Sequence, residues 1–171
     1  MNHRSTPLSP TASLPVRRHP SRHSVLERIG DSRPVMLFVT TVVHRRQPVL
    51  ARPGVHNALL DAWNAARNWR VCRYVVMPDH VHLLCCPGTF PVPDFHRWMK
   101  YWKTLVARTF PGTHIHPLWQ RQCWDTQIRS HDNFTEKWQY IRENPVRRGL
   151  VSRAADWPFQ GELFPIPWLA N

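Results

Sequence analysis

Two short apolar runs that nearly touch constrain the fold of this chain more than any other feature. The runs lie at 71–77 and 80–86, and only Pro78-Asp79 separates them. A two-residue break that begins with proline marks a tight connection, because proline fixes its own φ and cannot donate a backbone hydrogen bond. The sequence therefore predicts two neighbouring strands joined by a short turn.

Hydrophobic periodicity predicts the other elements. β-Branched and apolar runs indicate strands, and apolar residues at intervals of three and four indicate helices. The predicted strands lie at 35–43 and 118–129, and the predicted helices at 55–68, 94–110 and 131–144. The last helix is expected to end before Pro145. The order β-α-β-β-α-β-α indicates an α+β fold, an antiparallel sheet with packed helices close to the split βαβ pattern.

Length and composition indicate a single domain with flanking segments. A chain of 171 residues fits one domain with an ordinary core. Residues 1–32 are rich in Pro, Ser, Arg and His, so we expect a flexible basic arm there, either inert or DNA-binding. The domain itself is expected at 33–160, followed by a tail at 161–171. No apolar run is long enough to span a bilayer and no signal-peptide core is visible, so we expect a cytoplasmic protein with no membrane partner.

Charge and cysteine content narrow the class of partner. Lys and Arg number 23 against 11 Asp and Glu, a formal charge of +12 that favours a polyanion, with nucleic acid as the leading candidate. The four cysteines form no CxxC pair, so we expect reduced, mostly buried thiols and no zinc site. Most of the nine tryptophans are expected in the core. On the helix at 94–110, Lys100 and Lys103 lie away from the apolar stripe, on a face expected to be solvated and equally a candidate for DNA contact.

Two histidines on the second of the paired strands form the first candidate site. Side chains alternate along a strand, so His80 and His82 share one face while Val81 and Leu83 enter the other. Two neutral imidazoles at this spacing can hold a divalent cation and leave positions open for another protein ligand and for phosphate oxygens. The alternative is a pair of hydrogen-bonded histidines without a metal.

A tyrosine and an asparagine on the last predicted helix form the second candidate site. At about 100° per residue, Lys137, Tyr140 and Asn144 line one face beside a buried apolar stripe. A phenol can act as a nucleophile, and a carboxamide oxygen one turn later can be a hard ligand for Mg²⁺ or Mn²⁺. The alternative for Tyr140 is a half-buried aromatic residue with a packing role.

Four blocks in order carry a resemblance to a known family. They read VVMPDHVHLL, LWQRQCWDTQIR, FTEKWQYIRENPVRRGLV and ADWPF. Across about residues 35 to 160 the chain resembles the REP-associated tyrosine transposases, a group of single-tyrosine HUH transposases. The resemblance implies a ferredoxin-like domain whose central strand carries the HUH pair, at His80 and His82 here. It also implies that Tyr140 is the nucleophile and that Asn144 is the third metal ligand.

The resemblance implies a reaction and a substrate as well. The substrate would be single-stranded DNA in hairpins of repetitive extragenic palindromes, and the product of cleavage would be a 5′-phosphotyrosine that allows rejoining without ATP. Lys137 is the candidate base, and Arg142, Arg147 and Arg148 flank the site as phosphate contacts or as a solvated face. The rival functions are a domesticated hairpin-binding protein that does not cut DNA and a nuclease that uses activated water. Whether the protein is a monomer or a homodimer stays open.

Overall fold

The computed structural model of the protein describes residues 35–110, 117–128 and 130–166. The arm predicted at 1–32 lies outside the described residues, as do the last five residues of the tail predicted at 161–171. The strands are β1 (Met36–Val43), β2 (Trp69–Val76), β3 (His80–Pro87), β4 (Trp119–Ile128) and β5 (Gln160–Glu162). The helices are α1 (Pro53–Ala65), α2 (Phe95–Thr109), α3 (His131–Arg142) and α4 (Asn144–Arg147).

The five strands form one antiparallel sheet in the order β4-β1-β3-β2-β5. β1 and β2 each pair antiparallel with β3, so they run parallel to each other on either side of it, and α1 joins them. β3 and β4 each pair antiparallel with β1, so they too run parallel to each other on either side of it, and α2 joins them. Two interleaved split βαβ units make this a ferredoxin-like α+β fold, which confirms the predicted class.

The sheet separates two apolar layers. On one face, α1 and α2 pack on Leu37, Val39, Val81 and Leu83 in a core rich in tryptophan. On the other face, α3 and the segment that follows it cover a second cluster, which includes Leu84. The buried tryptophans are Trp63, Trp69, Trp98, Trp102, Trp119 and Trp157, as the composition predicted. No helix in the described part of the chain is long and apolar enough to cross a membrane.

Local chemistry sets the helix boundaries. The Asp94 carboxylate accepts a hydrogen bond from the Arg97 N–H at 2.6 Å and caps α2, and the Ser130 hydroxyl caps α3 in the same way. α3 ends before Pro145, as predicted. The backbone of Glu143 nevertheless keeps right-handed helical angles, so α4 follows α3 directly and Asn144 stays about one turn beyond Tyr140.

The end of the sheet departs from the sequence expectation, and the cysteines agree with it. β5 extends to Glu162, past the domain boundary expected at 160, and it pairs with β2 at the edge of the sheet. All four cysteines are free, and Cys72 Sγ lies 3.5 Å from Cys86 Sγ between neighbouring strands. Three of the four are buried and Cys123 is partly exposed, which agrees with the expectation of thiols in the core.

Trp102 offers a test of the α1–α2 layer. Its ring is fully buried and packs edge-to-face against Trp63 and Trp119. Replacing Trp102 by alanine is expected to lower the free energy of unfolding by about 3–5 kcal/mol, because it leaves a cavity that rigid neighbours cannot fill. The matched control is Tyr101→Ala, since the Tyr101 side chain is 51% exposed and its loss should change stability by less than about 0.5 kcal/mol. Urea denaturation measures both, and equal losses would contradict the described packing.

Candidate active site

The two histidines of β3 meet on the α3 face of the sheet. Both side chains are buried, their ring centroids lie 4.7 Å apart, and the rings are nearly perpendicular. The Nε2 atom of His80 lies 3.1 Å from the Nε2 atom of His82. Strand alternation predicted that the two rings share one face. The structure adds that the same nitrogen of each ring points toward the other.

The Nδ1 atom of each ring makes a hydrogen bond to a neighbouring side chain. His80 Nδ1 lies 2.7 Å from the Asp79 carboxylate, which can only accept, so this nitrogen carries the proton of the bond. His82 Nδ1 lies 2.8 Å from the hydroxyl of Thr40, the residue directly opposite on β1. Such partners behind an imidazole fix the orientation of the ring and its tautomer. Both Nε2 atoms are therefore presented in a fixed direction.

Burial and charge set the protonation of these groups. Burial lowers the pKa of His82 well below its ordinary value, and interactions with His80 and Arg147 lower it further. Burial raises the pKa of Asp79, but the bond with His80 and the hydrogen bond from Arg46 outweigh this and bring it to about 2. At neutral pH, His82 is thus a neutral imidazole with an available lone pair, and Asp79 is a carboxylate.

Asn144 reaches the histidine pair from the junction of α3 and α4. Its carboxamide nitrogen lies 2.7 Å from His82 Nε2, and its oxygen accepts a hydrogen bond from Arg147 at 3.0 Å. In the described ranges, no three His, Cys, Asp or Glu side chains gather as a metal-ligand set. A cation at the histidine pair would therefore take its third protein donor from this carboxamide, and two imidazoles with an amide oxygen fit a divalent ion that prefers nitrogen and oxygen.

Tyr140 lies one turn before Asn144 and faces solvent. Its side chain is 48% exposed, while Phe134 and Ile141 of the same helix are buried, as the helical pattern predicted. The guanidinium of Arg147 lies over the phenol ring, 4.2 Å from its centroid. Tyr140 is therefore connected to Asn144 through one arginine, and Asn144 contacts His82 directly. The four predicted side chains lie around one site within a single chain.

Comparison with known proteins finds two similar curated sequences. A REP-associated tyrosine transposase of Escherichia coli (strain K12) is 28% identical over 112 residues, 61% of this chain and 66% of the relative. A Haemophilus influenzae protein described under the same family name is 28% identical over 116 residues, 56% of this chain and 64% of the relative. This chain is thus similar in sequence to the REP-associated tyrosine transposases.

Solved structures show the same fold. A REP-associated tyrosine transposase bound to a REP hairpin superposes with a TM-score of 0.63 at 24% identity, covering 81% of this chain and 86% of that one. No family model matches the chain. The matched region also spans slightly less than two thirds of the length of the two curated relatives. The likeness to the REP-associated tyrosine transposases therefore consists of sequence similarity over part of the chain and of a shared fold.

The structure divides the predicted DNA-contact residues between two faces of the sheet. Arg142, Arg147 and Arg148 are exposed on or just after α3, on the side of the histidine pair. Lys100 and Lys103 belong to α2, which packs on the opposite face of the sheet. The structure thus does not bring these two lysines to the site.

Lys103 differs from its expected solvated position. Its ammonium donates to the backbone oxygen of Gln120 at 2.8 Å and lies over the Trp119 ring, and burial lowers its pKa. The long aliphatic stem of a lysine can lie along an apolar surface while the charged end finds a polar partner. Here that partner is a carbonyl of β4.

Three residues of the site were not selected from the sequence. Asp79 was noted only as part of a turn, and its position next to His80 is the one signal that could have identified it. Thr40 could not be found without the β1–β3 register. Arg46 reaches Asp79 at 3.1 Å from a 3₁₀ turn in which Arg45 and Arg46 both have positive φ, 54° and 53°. Non-glycine residues in this conformation carry strain, which is common near functional sites.

Two neighbouring threonines give a matched test of the hydrogen bond behind His82. Thr40→Val is expected to lower the free energy of unfolding by about 1–3 kcal/mol, since the Nδ1–H of a buried imidazole loses its partner. Among the described residues, Thr41 Oγ1 is buried without a hydrogen-bond partner, so Thr41→Val removes no bond and should be neutral or stabilising. Denaturant unfolding measures both variants. A Thr41→Val loss as large as that of Thr40→Val would refute the assigned bond.

Proposed function

We propose that the protein is a metal-dependent transposase that cleaves and rejoins single-stranded hairpin DNA through a covalent 5′-phosphotyrosine on Tyr140. One observation carries the proposal: the Nε2 atoms of His80 and His82 lie 3.1 Å apart, with the Asn144 carboxamide 2.7 Å from His82 and an exposed tyrosine one turn away. A purely structural role for these side chains requires no such convergence of donors beside an exposed phenol.

The protein residues would hold Mg²⁺ or Mn²⁺ through His80, His82 and the oxygen of Asn144. When bound, the cation supplies charge neutralisation and orientation of the non-bridging oxygens of a phosphodiester. Asp79 and Thr40 keep the two rings aligned, and the neutral state of His82 leaves its lone pair available. The Asn144 oxygen accepts a hydrogen bond from Arg147 in this structure and has a second lone pair, with which it would bind the ion after a rotation of the side chain.

Tyr140 would act as the nucleophile. Its exposure allows the phenol oxygen to reach a phosphate at the protein surface without rearrangement of the core. A bond forms between this oxygen and phosphorus, the bond from phosphorus to the 3′ oxygen breaks, and the departing strand takes a proton to become a 3′-hydroxyl. The 5′-phosphate stays on Tyr140, and attack by another 3′-hydroxyl reverses the step. Lys137, on the same helix face, is our candidate for accepting the phenol proton.

The proposed substrate follows from charge and from the solved relative. The chain carries a net charge of +12. Arg147 lies over the Tyr140 ring, and Arg142 and Arg148 are exposed in the same part of the chain, where they can contact phosphates. The structurally similar transposase was solved bound to a REP hairpin, which supports a hairpin of this kind as the substrate. All four side chains come from one chain, so we propose that each protomer holds a complete site, whether the protein acts as a monomer or as a homodimer.

Covalent trapping tests the proposed reaction. Wild-type protein incubated with Mn²⁺ and labelled single-stranded hairpin DNA is expected to give a protein–DNA adduct, which denaturing electrophoresis detects. Tyr140→Phe should abolish the adduct because the phenylalanine ring has no oxygen to bind phosphorus. His82→Ala should reduce it by more than about 100-fold through loss of metal. Tyr101→Phe is the matched control, since Tyr101 is equally exposed but lies on α2, and it should react like wild type.

The same assay separates the rival functions. Hairpin binding without any cleavage by wild-type protein would favour a domesticated binding protein. Cleavage that persists in Tyr140→Phe would favour a nuclease that uses water. Either result contradicts the proposed mechanism, and the second would leave the histidine site in place with a different nucleophile.

A further inference from the structure

We propose that Arg147 is a positioning residue that sets the Tyr140 ring and the Asn144 carboxamide relative to each other. The inference rests on the proposed function and adds a role for a residue that charge alone would assign to phosphate binding. It concerns the geometry of the site before DNA is bound.

The guanidinium of Arg147 contacts both Tyr140 and Asn144. Arg147 Nη2 donates to the backbone oxygen of Tyr140 at 2.6 Å and to Asn144 Oδ1 at 3.0 Å. The same guanidinium lies over the phenol ring, 4.2 Å from its centroid. The three residues stand at positions i, i+4 and i+7 of a nearly continuous helical stretch, so they share one face. Arg147 therefore fixes the nucleophile and the proposed third ligand at once.

Without Arg147, two side chains would gain freedom. The Tyr140 ring is about half exposed, and the cation over its face restricts the rotamers that the ring can adopt. The Asn144 oxygen would lose the donor that holds it, which leaves the amide held by His82 alone among the contacts described. Small losses of alignment between a nucleophile and the groups that orient the phosphate reduce rates strongly.

Arginine is suited to this role and lysine is not. A planar guanidinium can donate in its plane to two acceptors and present its face to an aromatic ring at the same time. A lysine ammonium is a point charge that can reach one of these partners. Arg147→Lys thus keeps the charge that a phosphate contact needs but loses the geometry, which separates positioning from simple phosphate binding.

The experiment compares Arg147→Ala and Arg147→Lys with wild type in three measurements. The first is Mn²⁺ affinity by calorimetry without DNA, the second is the single-turnover rate of adduct formation at saturating DNA, and the third is hairpin affinity as a function of salt. Arg153→Ala is the control, because Arg153 is 79% exposed and pairs with Asp156 away from the site. It should match wild type in all three.

Positioning predicts a specific pattern. Arg147→Ala should slow adduct formation by about 10- to 100-fold and change Mn²⁺ affinity measurably, with hairpin affinity within about threefold of wild type. Arg147→Lys should recover little of the rate. The opposite pattern would overturn the positioning role: Arg147→Ala weakens hairpin binding, the slope of log affinity against log salt concentration falls by about one, and Arg147→Lys restores both. Arg147 would then be a phosphate contact. Wild-type behaviour of Arg147→Ala would overturn it as well.

Failure of the inference can be told from failure of the proposed function. If wild-type protein forms no adduct with any hairpin, the proposed reaction is wrong and the inference falls with it. If wild type forms the adduct and Arg147→Ala does so at the same rate, only the role of Arg147 is wrong.

Discussion

The site depends on the register between β1 and β3. Thr40 stands directly opposite His82, on a strand that neighbours the central strand β3. A slip of one residue would turn both histidines toward α1 and α2 and expose Val81 and Leu83 to the other layer. Because apolar clusters cover both faces of these strands, such a slip would bury imidazoles among tryptophans and is strongly disfavoured. The packing that stabilises the fold thus also fixes the direction of the histidines.

Most of the buried polar side chains described lie together where β1 pairs with β3. Thr40, Asp79, His80 and His82 are four of the five buried polar residues described, and they are joined by hydrogen bonds on the α3 face. A buried polar network stabilises a protein only when its members are satisfied, and apolar residues would fill the same space at lower cost. The presence of this network in the centre of a sheet is consistent with a functional role. The two Nε2 nitrogens are the ring nitrogens that Asp79 and Thr40 leave free for other contacts.

The sequence predicted the parts of this protein that periodicity governs. Side chains repeat on one face every two residues in a strand and about every 3.6 residues in a helix. This difference predicted the order of the elements, the common face of His80 and His82, and the common face of Tyr140 and Asn144. β5 could not, because three residues with a central glycine carry no apolar alternation. Thr40 could not either, since its contact depends on pairing between strands 42 residues apart. Lys103 was predicted to be solvated because it is polar. Polarity alone does not show that the end of a long side chain can reach a backbone carbonyl, as Lys103 does at Gln120.

The two layers on the sheet have different consequences for sequence variation. Along β3, neighbouring residues alternate between the tryptophan-rich core and the histidine site, so adjacent positions face different selective demands. Substitutions on the α1–α2 side act mainly on how much protein is folded, whereas substitutions at the histidine site act on folding and also on the chemistry of the site. A chain arranged in this way can change the polar groups of one surface while the tryptophan-rich core, on the reverse of the same strands, stays as it is.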